Sequence, residues 1–199
     1  LFPNAKIFIM DSDTIKTEKK GKEIAENFLS APGGILLGTE MIFSYINRPV
    51  ENVAVVSIDS LFALPDFRIN EKIFYLLLKL RSLAKKNFMI QTRLLDGQAR
   101  LPEQNLFDYA IKGNISGFYK TEIENRKNFD YPPFKLFIKI TKEGKNRLQI
   151  KKEIDQLTKK IEIWSPLTYP AFIHKIKNIY AWHILLKIDP LTWPDNQKE

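Results

Sequence analysis

Apolar positions along this chain switch repeatedly between strand-like and helix-like spacing. Ala5-Lys6-Ile7-Phe8-Ile9-Met10 is a short β-rich run that stops at Asp11-Ser12-Asp13-Thr14, a cluster of turn and cap residues. Over residues 17–29 the apolar positions Ile24, Ala25, Phe28 and Leu29 recur at helical spacing, with charges between them. Ala31-Pro32-Gly33-Gly34 ends that helix, because proline lacks a donor and glycine admits positive φ. Ile35-Leu36-Leu37 and Val53-Ala54-Val55-Val56-Ser57-Ile58 are continuous apolar runs without alternation, the pattern of strands buried on both faces. Strand, helix, strand, connection, strand predicts an α/β arrangement around a mostly parallel sheet.

Leu64-Pro65-Asp66-Phe67-Arg68 opens a long helix with Ile73, Phe74, Leu76, Leu77, Leu80 and Leu83 at apolar positions, and Phe88-Met89-Ile90-Gln91-Thr92 is the next strand. Two helices follow over 103–112 and 116–128, divided at Gly113-Asn114. The prolines of Tyr131-Pro132-Pro133-Phe134 forbid a continuing helix and suggest a domain boundary. Beyond it the pattern predicts a strand over 135–141, a lysine-rich helix over 147–160, a short strand over 161–164 and a strand over 179–188. The predicted organisation is therefore an α/β domain over 1–130 with a helical extension at 103–128, a small α+β domain over 131–190, and a frayed tail over 191–199.

Composition narrows the chemistry. The 199 residues include no Cys and only two His, His174 and His183, so a disulfide scaffold, a thiolate zinc site and a multi-histidine metal centre all drop out within this chain. His174 and His183 are read as surface or internally satisfied residues. Lys and Arg outnumber Asp and Glu by 31 to 23, which points to an anionic partner, nucleic acid first. The longest apolar stretch, 73–80, is interrupted by charge and far too short to span a bilayer. With no leader pattern at Leu1-Phe2-Pro3, the expectation is a cytoplasmic, soluble protein, and the missing initiator Met suggests a processed chain or a piece of a longer one.

Several stretches, taken in order, resemble the second half of the primosomal replication-restart helicases. They are Phe2-Pro3 with Met10-Asp11-Ser12-Asp13-Thr14, Gly38-Thr39-Glu40-Met41, Ser60-Leu61 with Leu64-Pro65-Asp66-Phe67-Arg68 and Glu71, and Gln91-Thr92. Glu122, Arg126-Lys127, Tyr131-Pro132-Pro133-Phe134, Tyr180, Trp182 and Leu185-Leu186-Lys187 complete the series. The resemblance implies a second RecA-like lobe followed by a C-terminal DNA-binding domain, from an ATP-driven motor that moves 3′-to-5′ on single-stranded DNA and restarts abandoned forks. It implies branched or single-stranded DNA as partner, with single-strand-binding protein and primosome components beside it. ATP, Mg²⁺ and zinc are the family's cofactors, held largely by parts absent from this sequence.

Phosphoryl transfer in such a motor needs a P-loop, an acidic pair for Mg²⁺ and water, and an arginine finger. No Gly-x-x-x-x-Gly-Lys-Ser/Thr occurs here. Where the family has Gln-x-x-Gly-Arg-x-Gly-Arg, this sequence reads Lys79-Leu80-Arg81-Ser82-Leu83-Ala84-Lys85-Lys86. Arg81 and Lys86 are the remaining nucleotide-binding candidates, and lysine lacks the planar fork that clamps phosphate oxygens. No residue is assigned a catalytic role. By resemblance, Gly38 and Thr39 bind DNA phosphates, but the continuation over 43–51, with Ser44-Tyr45 and Asn47, departs from the family pattern. Asp59 ends a strand where Ser57 replaces a first family aspartate, and is read as a turn or cap residue. Lys175, Lys177 and Lys187 are the phosphate-neutralising candidates, while Tyr180 and Trp182 fit core packing or base stacking.

Three readings follow. The first is a DNA-binding module of the restart lineage, silent in ATP hydrolysis by itself. The second is half of an active ATP-dependent helicase completed by another lobe. The third is a remnant that docks onto primosome proteins.

Overall fold

The computed structural model describes residues 5–93, 102–173 and 175–191. Phe2-Pro3, His174 and most of the expected tail lie outside the described residues. The chain divides into two compact units, Leu1–Val56 with Leu77–Gln91, and Ser57–Leu76 with Thr92–Glu199.

In the first unit, β1 (Ile7–Met10) and β2 (Ile35–Gly38) pair in parallel, Ile7 opposite Ile35 and Met10 opposite Gly38. The crossover is α1 (Glu18–Leu29), whose Thr17 cap accepts a hydrogen bond from the Lys20 amide, and whose exit turn uses Gly33 at φ 69°. The Asp11 carboxylate accepts hydrogen bonds from the Asp13 and Thr14 amides and from the Thr14 hydroxyl, at 3.0, 2.8 and 2.8 Å. Those donors hold the carboxyl below its ordinary range and close the turn between β1 and α1. Met10, Ile15, Ala25 and Ile46 are the buried centre, flanked by Ile24, Phe28, Leu36 and Tyr45. Gly21 leaves room for the Tyr45 ring, since a Cβ on it would lie 2.3 Å from Cζ of Tyr45 and the ring would have to shift. Tyr45, one of the departures from the family motif, is thus accommodated by a glycine on α1.

A second parallel pair joins β3 (Val50–Val55) to β4 (Ala84–Ile90), with Val55 opposite Ile90. The helix α2 (Ile69–Leu83) runs into β4 without an intervening loop. The parallel pairing expected from the sequence is present, but as two separate two-stranded sheets rather than one broad sheet. Burial on both faces is likewise not found: Ile7, Ile9, Leu37 and Val56 are exposed. A two-stranded ladder with a helix on one side leaves its other face open, so continuous apolar runs overstate the burial. The predicted strand over 53–58 starts earlier and stops at Val55, because Ser57 takes a left-handed φ of 59° and Ile58–Ala63 winds into a 3₁₀ helix.

The second unit holds α3 (Pro102–Lys112) and α4 (Ile115–Asn128), separated at Gly113, with Asn114 capping α4 by accepting from the Gly117 amide. The rings of Phe74 and Phe118 stack 4.0 Å apart, and the Tyr109 and Thr121 hydroxyls meet at 3.1 Å. Then β5 (Leu136–Gly144), α5 (Arg147–Lys160), β6 (Leu167–Pro170) and β7 (Tyr180–Ile188) make an antiparallel sheet in the order β5-β7-β6 with α5 packed on one face. Asn146 starts α5 by accepting from the Leu148 and Gln149 amides. The strand expected over 161–164 is instead a 3₁₀ turn, Glu162–Trp164, closed by Ser165 at φ 47°. The strand falls three residues later, beyond Pro166, at β6. Backbone continuity with α5 outweighs the β-propensity of Ile161 and Ile163.

Ile150 and Ile154 of α5 meet Ile184, Leu186 and Ile188 of β7, with Ile138, Ile140, Tyr180 and Trp182 packed around them. Each such aliphatic side chain contributes about 1.5–3 kcal/mol by leaving water. Ile184→Ala is expected to cost about 2–5 kcal/mol, because Ile184 is fully buried. Leu148→Ala, on the exposed face of α5, should change stability by no more than about 0.5 kcal/mol. Urea unfolding of the two variants checks both.

Candidate nucleic-acid interface

Positive charge is not spread evenly. Residues 131–191 contain twelve Lys or Arg and five Asp or Glu, and the rest of the chain is close to balanced. A focused basic surface is the electrostatic footprint of a polyanion partner. From Ile163 to Ile188 the chain has no acidic residue. Lys151, Lys152 and Lys159, with Leu148, Asp155 and Gln156, line a shallow groove on the outer face of α5. On the facing strand, Lys142 pairs with Glu153 at 2.7 Å, so one lysine of this region is spent on structure.

The three C-terminal lysines singled out from the sequence occupy different environments. Lys175 and Lys177 are exposed on the connection between β6 and β7. The ammonium of Lys175 lies 5.4 Å from the centre of the Tyr180 ring. Lys187 is only partly exposed: its ammonium donates to the Phe129 carbonyl at 2.8 Å and sits 5.0 and 5.6 Å from the Tyr131 and Phe137 rings. That lysine fastens the segment before β5 to the end of β7. Tyr180 and Trp182 pack against the core, the packing alternative of the two open in the sequence.

Thr39 is exposed and its hydroxyl makes no cap bond to the short 3₁₀ helix Glu40–Ser44 that it precedes. Gly38 has a structural requirement of its own, since a Cβ there would lie 2.3 Å from Cγ2 of Ile42 and 3.0 Å from the Met10 carbonyl oxygen. Arg81 sits exposed in the last turn of α2. Lys86 lies on β4, not on the helix, and pairs with Glu51 of the neighbouring strand. Asp59 accepts from the Thr92 hydroxyl at 2.6 Å and the Arg93 amide at 2.8 Å, tying the chain after β4 to the 3₁₀ helix after β3. No group of three or more metal-ligating side chains occurs among the described residues.

A constellation whose parts the sequence displayed but did not connect lies at the start of α2 and the end of α4. Arg126, with its side chain 13% exposed, donates from Nε to Glu122 at 2.9 Å and from Nη1 to the Pro132 carbonyl at 3.2 Å. Its Nη2 lies 2.9 Å from Glu71, close enough for an ion pair though not aligned as a hydrogen bond. The guanidinium also lies 5.3 Å from the Phe67 ring, which meets Tyr131 and Phe137 edge-on. Burial opposes the charge on Arg126, but Glu122 and Glu71 outweigh it and raise its pKa further. Glu122 and Arg126 are four apart on one helix, a spacing readable from sequence; Glu71 is not, because it arrives from a separate helix.

His183 is 9% exposed, and its Nδ1 meets the Thr141 hydroxyl at 2.9 Å beside the Tyr169 ring. It is the satisfied residue expected from the sequence. Burial, aided by Lys139 and opposed by Glu143, pushes its pKa below 6.5.

With this geometry in place, comparison with known proteins shows what the chain is similar to. Residues 127–195 match the family described as Primosomal protein N C-terminal domain. Across nearly its whole length the chain is similar to the C-terminal region of replication restart proteins, as the resemblance in its sequence implied. Relatives include Replication restart protein PriA of Chlamydia trachomatis, 29% identical with 94% of this chain and 25% of the relative aligned. The PriA of Borreliella burgdorferi is 30% identical over 92% of this chain and 28% of its own length. That of Thermotoga maritima is 24% identical over 96% and 26%. The chain spans about a quarter of the length of these curated relatives.

Two outcomes follow from the buried charges. Arg126→Met leaves the buried Glu122 without its counter-charge and Glu71 with Arg68 alone, at 3.4 Å, and is expected to cost about 3–5 kcal/mol in urea unfolding. For His183 the folded pKa lies below the unfolded one, so the unfolded state binds the proton more readily. Stability is therefore full above pH 6.5 and declines as pH falls below it. Melting curves between pH 7.5 and 5 should show this decline, and His183→Gln should flatten it.

Proposed function

We propose that this chain is the DNA-engaging C-terminal part of a primosomal replication-restart protein of the 3′-to-5′ helicase lineage, without ATP hydrolysis of its own. The observation that carries the reading is the concentration of basic residues over 131–191, the same stretch that matches the primosomal C-terminal family. Phosphate contacts by Lys175, Lys177 and the lysines of α5 position the unit on the nucleic acid without reading base sequence. In this reading the first unit derives from a RecA-like lobe: its two parallel strand pairs and the crossover α1 suit one, and Gly38 and Thr39 stand where such a lobe meets the DNA backbone. Nucleotide contact through Arg81 and Lys86 is the weakest part, because Lys86 is engaged by Glu51. Branched or single-stranded DNA is the partner, with single-strand-binding protein and other primosome components acting beside it.

A second reading, half of an active helicase, is favoured by one observation: the similarity to proteins four times as long extends through residues well before the C-terminal match. DNA-stimulated ATP hydrolysis after mixing with a P-loop-bearing lobe supports it, and none removes it.

Fluorescence anisotropy with a forked DNA tests the first reading. Binding should weaken steeply as salt rises, and Lys175→Gln with Lys177→Gln should lower the slope of log K against log salt by about two. No salt-sensitive binding at low ionic strength defeats the proposal.

A further inference from the structure

The connection between β6 and β7 leaves four large apolar side chains in water. Phe172, Ile173, Ile176 and Ile179 fall within one short segment and are 62%, 60%, 56% and 41% exposed. Single apolar residues on a surface are ordinary, but several in one segment mark a contact. The second half of this connection is a tight hairpin. The amides of Ile176 and Ile179 each donate to the other's carbonyl, at 3.0 and 2.8 Å, and Lys177 and Asn178 between them take φ of 46° and 69°. Two successive left-handed residues make the mirror-image turn that suits a twisted hairpin. Residues that exchange both backbone bonds in this way point their side chains to the same side. Ile176 and Ile179 are therefore one apolar face, with a lysine and an asparagine at the tip.

From these observations we infer that the connection is an interfacial anchor for an anionic lipid bilayer. Its apolar side chains enter the boundary between headgroups and acyl chains, while Lys175 and Lys177 meet the lipid phosphates. Charge and side-chain type together select this occupant. No acidic residue occurs from Ile163 to Ile188, so nothing on the segment repels an anionic surface. Apolar side chains with lysines beside them are the pattern of segments that lie in a membrane interface, where the lysine stems run along the hydrocarbon and their charges stay in water. Three of the four apolar side chains are isoleucine, which offers no ring to lie on a nucleobase and is buried best in hydrocarbon. No helix among the described residues is long and apolar enough to cross a membrane, and the contact offered by the hairpin is peripheral and reversible. The inference goes beyond the DNA-binding reading and shares two lysines with it, so vesicles and DNA compete for Lys175 and Lys177.

The test is flotation of the full chain with vesicles of equal parts phosphatidylglycerol and phosphatidylcholine, beside vesicles of phosphatidylcholine alone. Binding is expected to favour the anionic vesicles by at least about tenfold, the effect of two lysines at a charged surface. The double variant Phe172→Ser with Ile176→Ser should lower vesicle binding by at least about tenfold, with circular dichroism and DNA affinity unchanged. A Phe172→Trp variant reports insertion directly: phosphatidylglycerol brominated on its acyl chains should quench its fluorescence beyond the quenching seen in the unsubstituted chain. Equal binding to the two vesicle types, or binding to neither, overturns the inference and leaves the DNA-binding role standing. A double variant that floats as well as the unsubstituted chain, or a Phe172→Trp variant with no added quenching, reduces the contact to charge alone and also overturns it. So does a double variant that loses DNA affinity as much as vesicle affinity, because its apolar face then serves nucleic acid.

Discussion

The buried guanidinium of Arg126 is the constraint around which the second unit is arranged. A charge taken out of water is tolerated only where opposite charges and acceptors replace its hydration. Glu122 comes from the same helix and costs little to position. Glu71 comes from a helix fifty-five residues earlier, and the Pro132 carbonyl from the chain beyond α4. Three separate segments must therefore arrive together for the charge to be satisfied, and each is committed to one geometry once it does. The aromatic ring of Phe67 and its edge-on partners Tyr131 and Phe137 close the same junction from the apolar side.

Lys187 extends that logic into the C-terminal sheet. Its ammonium is held by the Phe129 carbonyl and two ring faces, so the end of β7 is tied to the segment that precedes β5. The cationic groups of this unit thus divide by environment rather than by sequence. Those under rings and beside carboxylates, Arg126, Lys187 and Lys142, hold the fold; those on the outer face of α5 and on the β6–β7 connection remain available to a polyanion. An exposed lysine near phosphate gains from counterion release, whereas a lysine already bonded to a carbonyl must first give up that bond. Net charge alone does not separate the two groups.

The sheet with α5 has one well-covered face. Ile184, Leu186 and Ile188 meet α5, while the other face presents Thr141, His183, Tyr169 and Lys139. A single helix cannot cover both sides of three strands, so the second face is polar in part and its histidine is paired to a hydroxyl instead of packed among hydrocarbons. Burial of His183 beneath its neighbours on that face is what lowers its pKa.

Local chemistry was legible in the sequence. Gly33 takes the positive φ expected after the first helix, the break between α3 and α4 falls at Gly113-Asn114, and the alternation of β7 places Ile184 and Leu186 on one face. Each depends on neighbours within a few residues, where propensity and periodicity operate. The primosomal resemblance was legible for the same reason, as motifs in order along the chain. Strand burial, the strand at 167–170 and the separate parallel pairs were not, because a run of apolar residues does not say how many partners will cover it. Nor did sequence divide structural lysines from free ones, or bring Glu71 to Arg126. Those outcomes depend on which distant groups share a dry space, and only the tertiary structure, where desolvation must be repaid by specific partners, decides that.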